Sequence, residues 1–128
     1  MRDGLELFTA IYSPKDTSKK YPIVMQRTPY NCAPYGPDQF KRSIAPNEAM
    51  MKEGYIVVYQ DVRGRYMSDG LYDNMRGYIP NKKVKTEVDE ASDTYDTIDW
   101  LVKNVANNNG NVGTWGISYP GYYASYSL

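Results

Sequence analysis

The sequence contains no histidine and a single cysteine. A serine hydroxyl is a poor nucleophile until a base takes its proton, so a Ser-His-Asp relay cannot be completed from these residues alone. The lone Cys32 cannot form an intrachain disulfide and does not separate a cytosolic from an exported protein. No run of about 18 apolar residues is present to cross a bilayer as a helix, and the opening MRDGLELFTAIY lacks the charged-then-apolar layout of a signal peptide. Charge of either sign is not in excess either. Lys plus Arg number 15, as do Asp plus Glu, and no block of like charge occurs, so neither nucleic acid nor an anionic membrane is indicated as a partner. Internal repeats are absent.

Tyrosine, in contrast, is abundant, at 14 of 128 residues. Its ring packs while its hydroxyl seeks a partner, which suits core walls and cleft linings. With 41% hydrophobic residues, the chain is long enough for one domain with a core and too short for two.

Strand and helix signals alternate along it. Leu5–Tyr12 (LELFTAIY) reads as a first strand and SPKDTSKK as a turn. Tyr21–Thr28 (YPIVMQRT) reads as a second strand, closed by Pro29, which opens the long loop PYNCAPYGPDQF. Pro46 is a candidate first residue of a short helix, PNEAMMKEG, stopped by Gly54. Tyr55–Gln60 (YIVVYQ) is a continuous apolar run, as expected of a central strand covered on both faces. The following DVRGRYMSDGLYDNMRGYIPNKK has no period and reads as an extended loop. From Glu87 to Asn104, Val88, Ala91, Tyr95, Ile98, Leu101 and Val102 recur at helical steps and predict one apolar helix face. Glu87, Asp89, Glu90 and Asp93 at its start and Lys103 at its end complement the macrodipole, and these carboxylates are expected to be solvated or dipole-related rather than catalytic. After the turn ANNNG, NVGTWG reads as a short strand, and ISYPGYYASYSL has a helix start at Pro120. Two opening strands followed by helix-strand alternation predict an α/β fold whose later strands are parallel, with its ligand site at their carboxyl ends.

Gly116-Ile117-Ser118-Tyr119-Pro120-Gly121 lies between the NVGTWG strand and that helix, which is the context of a nucleophile elbow. An elbow needs compact neighbours so that strand and helix backbones can approach, and Gly116 and Gly121 meet that need. The alternative for Ser118 is an ordinary capping serine in a Gly-rich turn. Asp61, Arg63 and Arg65 follow the central strand at its carboxyl end and could shape a pocket; an internal Asp61–Arg63 pairing is favoured over that role. Tyr66, Met67 and Tyr72 receive no role from their spacing.

The segments RDGLELFTAIY, RTPY, YIVVYQDVRGR, the SDG turn, DTYDTIDWLVKN and GISYPG, in this order and spacing, resemble the X-Pro dipeptidyl-peptidase and cocaine-esterase-like serine hydrolases, in particular the α-amino acid ester hydrolases and glutaryl-cephalosporin acylases. The resemblance covers nearly the whole chain. It implies an α/β-hydrolase fold, mostly parallel sheet flanked by helices, of which residues 1–128 would be the N-terminal part of the catalytic domain, ending just after the elbow. It further implies cleavage of an ester or amide acyl bond, of α-amino acid ester, β-lactam side-chain acyl or X-Pro dipeptide type, through an acyl-enzyme. Ser118 would be the nucleophile, and Tyr30 of RTPY (side-chain hydroxyl) and Tyr119 (backbone N–H) would hold the oxyanion. The triad acid and histidine would lie beyond Leu128, leaving the isolated chain inactive. A non-catalytic binding module on a hydrolase scaffold, or a Ser–Lys pairing, are the alternatives. No metal or organic cofactor is implied; the partner would be a small ester, amide or short peptide, an oligomer is possible, and the resemblance leans towards a periplasmic or secreted protein.

Overall fold

The continuous apolar run after Gly54 forms the centre of a sheet. In the computed structural model, which describes residues 1–126, four strands occur among the described residues: β1 (Thr9–Tyr12), β2 (Tyr21–Thr28), β3 (Ile56–Asp61) and β4 (Asn108–Thr114). Their order across the sheet is β1-β3-β2-β4. β1 runs antiparallel to β3, while β2 is parallel to both β3 and β4. Helices α1 (Glu48–Glu53), α2 (Glu90–Asn104) and α3 (Tyr119–Ser125) complete the fold. The α/β architecture with parallel later strands is therefore the one expected. Continuation of α3 through Ser127 and Leu128 lies outside the described residues.

All six residues of β3 are buried, and side-chain alternation along β2 and β3 divides them between two cores. Ile23, Met25, Ile56 and Val58 face one side with Leu101 of α2. Val24, Val57 and Tyr59 face the other with Cys32 and Ala45. Burial of each such Val, Ile or Met is worth about 1.5–3 kcal/mol relative to exposure, which is why an uninterrupted apolar run is stable only as an interior strand.

Several boundaries differ from the sequence expectation. β1 begins at Thr9 rather than Leu5, because the preceding backbone bonds to the 61–69 loop: the Phe8 N–H donates to Ser68 Oγ (2.9 Å) and the Glu6 N–H to Asp69 Oδ2 (3.1 Å). Pro46 does not open α1. Asn47 is the N-cap, its side chain accepting from the Met50 N–H at 2.9 Å, and the left-handed Gly54 (φ 81°) ends the helix as predicted. β4 takes in Asn108–Gly110, read from sequence as a turn, through pairing with β2.

The largest correction concerns α2. Asp89 and Ser92 form a reciprocal capping box, but the buried side of the helix is polar: Glu90, Asp93, Thr94 and Thr97, joined by Leu101. Tyr95, placed by periodicity on the inner face, is 66% exposed. Glu90 and Asp93 are buried rather than solvated, while Asp89 serves the helix terminus as its N-cap and Glu87 stays partly exposed. Arg27 of β2 donates through Nη1 to Glu90 Oε2 (3.0 Å) and Thr94 Oγ1 (2.9 Å), and through Nε to Gln60 Oε1 (2.8 Å). Arg63, just past β3, grips both oxygens of Asp93 (2.8 and 2.6 Å) and reaches Asp3 Oδ2 at 2.6 Å. Asp93 also lies 3.9 Å from Arg27 Nη2. Burial raises the Glu90 carboxyl above its ordinary value against the opposing pull of Arg27. Only the partnered geometry makes such a cluster tolerable inside a fold.

Asp93→Ala leaves two buried guanidiniums short of a counter-charge, so it is expected to lower the unfolding free energy by about 3–5 kcal/mol. Asp96→Ala, which breaks the more exposed Arg2–Asp96 pair, is expected to cost no more than about 1 kcal/mol. Denaturant unfolding of the two variants checks the contrast.

Candidate active site

Because β2, β3 and β4 are parallel, their carboxyl ends lie on one edge of the sheet, and the three segments that leave them meet there. β2 delivers Pro29–Tyr30, β3 delivers Asp61 to Arg65, and β4 delivers Ser118.

Ser118 stands between β4 and α3 with φ 59° and ψ −123°. A side chain at positive φ is strained and persists only where its surroundings impose it. The imposition is the approach of the two backbones: a Cβ on Gly116 would lie 2.2 Å from the Pro120 carbonyl carbon, and one on Gly121 would lie 3.1 Å from the Gly116 oxygen. Ser118 occupies the N-cap position of α3, yet its side chain makes no capping hydrogen bond, and the residue is exposed. The capping-serine alternative therefore does not describe it. Pro120 falls in the first turn of α3, where a missing N–H leaves no helical bond unmade.

Tyr30 is brought to Tyr119. Their rings meet edge to face, 6.1 Å between centroids at 82°. Tyr30 is 57% exposed, and among the described residues its hydroxyl has no hydrogen-bond partner. The Tyr119 side chain is fully engaged: its hydroxyl lies 2.9 Å from Tyr72 Oη, donates to Asn74 Oδ1 (2.5 Å) and accepts from the Met75 N–H (2.9 Å). Its ring stacks on Tyr123 at 5.2 Å. As a first-turn residue of α3, Tyr119 has a backbone N–H that no helix carbonyl can satisfy. Sequence reasoning missed Tyr72 and Asn74. The available signal was Gly64 in QDVRGR, at φ 71°, where a Cβ would lie 2.0 Å from the Tyr72 nitrogen; that close fold-back delivers Tyr72 to the site.

The expected Asp61–Arg63 pair does not form. Strand alternation ends with β3 at Asp61, and the two side chains part to opposite faces. Arg63 turns to Asp93 and Asp3. Asp61 accepts from the Cys32 N–H (2.8 Å), Tyr35 Oη (2.7 Å) and the Met67 N–H (3.3 Å). Both residues are structural, as favoured, with different partners. Arg65 donates through Nε to the Pro29 carbonyl at 2.9 Å. Cys32 is fully buried, and burial, with the Asp61 charge beside it, pushes its thiol up to about 12. It stays protonated at neutral pH and offers no competing nucleophile. Among the described residues no cluster of His, Cys, Asp or Glu could hold a metal ion, and no helix is long and apolar enough to cross a membrane.

A strand-to-helix serine at strained φ, followed by a helix tyrosine that meets a loop tyrosine at the carboxyl edge of a parallel sheet, agrees with what comparison of the whole chain finds. The signature of the X-Pro dipeptidyl-peptidase (S15) family matches residues 3–127. The chain belongs to this family. The cocaine esterase of Rhodococcus sp. (strain MB1 Bresler) is 33% identical over 123 residues, which is 94% of this chain and 18% of the esterase. A solved α-amino acid ester hydrolase is 42% identical with a TM-score of 0.83, covering 99% of this chain and 21% of that one. An aminopeptidase from the marine sediment archaeon Thaumarchaeota archaeon is 39% identical with a TM-score of 0.80, covering 98% and 21% respectively. The chain thus spans about a fifth of the length of these relatives, and within that span it has the fold of the S15 family.

The elbow geometry gives a direct structural test. Gly116→Ala puts a Cβ against main-chain atoms that cannot rotate away and is expected to cost about 1–3 kcal/mol or more. Gly113→Ala in β4 meets nothing within 4 Å and is expected to stay within about 0.5 kcal/mol of the parent. Thermal unfolding of both variants measures the difference.

Proposed function

We propose that this chain carries the nucleophile and oxyanion-binding half of a serine hydrolase site that cleaves an ester or amide through an acyl-enzyme, with residues 1–128 forming part of an α/β-hydrolase catalytic domain. The observation that supports the reading most is Ser118: its backbone is strained, its hydroxyl is free of a capping bond, and its neighbour Tyr119 touches the ring of Tyr30. In the proposed reaction Ser118 Oγ attacks the acyl carbon, and its proton passes to a base. Negative charge develops on the carbonyl oxygen, where the Tyr30 hydroxyl and the Tyr119 backbone N–H donate to it. Collapse of the tetrahedral intermediate breaks the acyl bond, and the alcohol or amine leaves with the proton. Water then attacks the Ser118 ester, and the same sequence releases the acid.

The sequence has no histidine to act as the base; a histidine supplied from outside these residues fits the order Ser, acid, His along an α/β-hydrolase chain. The activities named for the relatives, cocaine esterase, α-amino acid ester hydrolase, aminopeptidase and X-Pro dipeptidyl-peptidase, suggest small esters or short peptides as substrates. Each donor aimed at the oxyanion is worth about 3–4 kcal/mol of barrier.

In the complete gene product, assayed with p-nitrophenyl acetate and with amino acid p-nitroanilides, Ser118→Ala is expected to lower kcat by about 10⁴-fold or more. Tyr30→Phe is expected to lower it by about 10²- to 10³-fold. Turnover that survives Ser118→Ala would remove the proposal.

A further inference from the structure

We propose that Arg65 is a positioning residue for the oxyanion-binding Tyr30, an inference that rests on the reading above. The peptide unit joining Pro29 to Tyr30 is held at both ends. Its carbonyl accepts from Arg65 Nε at 2.9 Å, and its N–H donates to Thr28 Oγ1 at 3.1 Å. A peptide unit is planar, so two bonds at its opposite edges fix its rotation and the position of the Tyr30 Cα, leaving the torsion about the Tyr30 N–Cα bond to aim the side chain. Two residues on, the Cys32 N–H donates to buried Asp61 at 2.8 Å. Thr28 and Asp61 are paired neighbours at the ends of β2 and β3 and cannot be displaced without disturbing the sheet. Arg65 is the one anchor of the plane that comes from a loop.

Arg65 is in turn held by the other side of the site. Its guanidinium lies over the rings of Tyr66 and Tyr72, 5.1 and 4.9 Å from their centroids. Tyr72 Oη meets Tyr119 Oη at 2.9 Å, and the Tyr119 ring meets that of Tyr30. The contacts close a circuit from Pro29 through Arg65, Tyr72 and Tyr119 back to Tyr30, so the segment after β2 and the elbow after β4 are adjusted to one another through a residue from the loop after β3. Arg27 and Arg63 are both buried in ion pairs, whereas Arg65 makes none among the described residues and is only half-buried. Its contribution to the fold is correspondingly small, and a planar guanidinium suits the combination of one in-plane bond and two ring contacts.

The test is a double-mutant cycle in the complete gene product with p-nitrophenyl acetate, using Arg65→Met, Tyr30→Phe and the pair. Arg65→Met is expected to lower kcat by about 10- to 100-fold, the loss that follows from a misaligned donor, with KM changed by less than about threefold. In the Tyr30→Phe background the same substitution is expected to cost less than about twofold. Tyr72→Phe, which breaks the bond to Tyr119 and leaves the packing, is expected to reproduce a smaller loss with the same dependence on Tyr30; it carries the test should Arg65→Met melt early. An equal loss with and without the Tyr30 hydroxyl, or no loss where Tyr30→Phe alone is impaired, would overturn the positioning role while leaving the serine-hydrolase reading standing. Full turnover in both Ser118→Ala and Tyr30→Phe would instead bring down that reading and this inference with it.

Discussion

The fold turns on two arginines buried beneath the sheet's carboxyl edge. Arg27 and Arg63 share Asp93 between them, with Glu90 and Asp3 at the outer ends. Taking an ion out of water costs several kcal/mol, and the cost is offset only where hydrogen bonds meet the charges in good geometry. Such a cluster tolerates few alternatives: α2 must present its carboxylates to β2, the segment after β3 must bring Arg63 beneath it, and the N-terminal stretch must return to supply Asp3. The apolar cores make the sheet stable, while the ion pairs set which face of α2 it meets. Everything at the carboxyl edge is built on that alignment, since Thr28 and Asp61 lie one position beyond Arg27 and Gln60 of the same network.

The strands were legible where burial was apolar. β2 and β3 announce themselves because a continuous Val, Ile and Tyr run is stable only with both faces covered. The elbow was legible because its requirement is steric: Gly116 and Gly121 sit where a Cβ would strike backbone. The inner face of α2 was not, because Glu90, Asp93, Thr94 and Thr97 carry a helical period in polar residues, and hydrophobic periodicity cannot see a face that is buried through ion pairs and hydroxyl bonds. The same blindness concealed the partners of Arg63. Pairing with Asp61 is local, whereas the observed partners stand 30 and 60 positions away. Tyr72 and Asn74 were missed because a long aperiodic loop gives no register from which to place its side chains, and Arg65 could be placed at the carboxyl edge but not given its Pro29 partner.

The abundance of tyrosine divides between these two worlds. Tyr21, Tyr59 and Tyr123 are core residues, and burial raises the phenol of each above its ordinary value. Tyr30, Tyr72 and Tyr119 line the edge where the three parallel strands end, each touching another through ring or hydroxyl. A phenol suits that edge because its ring can pack against a neighbour while its hydroxyl either ties two segments together, as between Tyr72 and Tyr119, or stays available to a ligand, as in Tyr30. Membership of the S15 family and the strained serine therefore meet in one place, and the chemistry proposed for that place depends on Ser118 being the residue that takes the acyl group.

The most direct measurement is covalent: treat the complete gene product with a fluorophosphonate, digest it, and map the adduct by mass spectrometry. The account predicts one phosphonyl group per chain, on Ser118, formed far faster than on any other hydroxyl. An adduct on a different residue, or labelling of Ser118 no faster than that of an ordinary exposed serine, would contradict it.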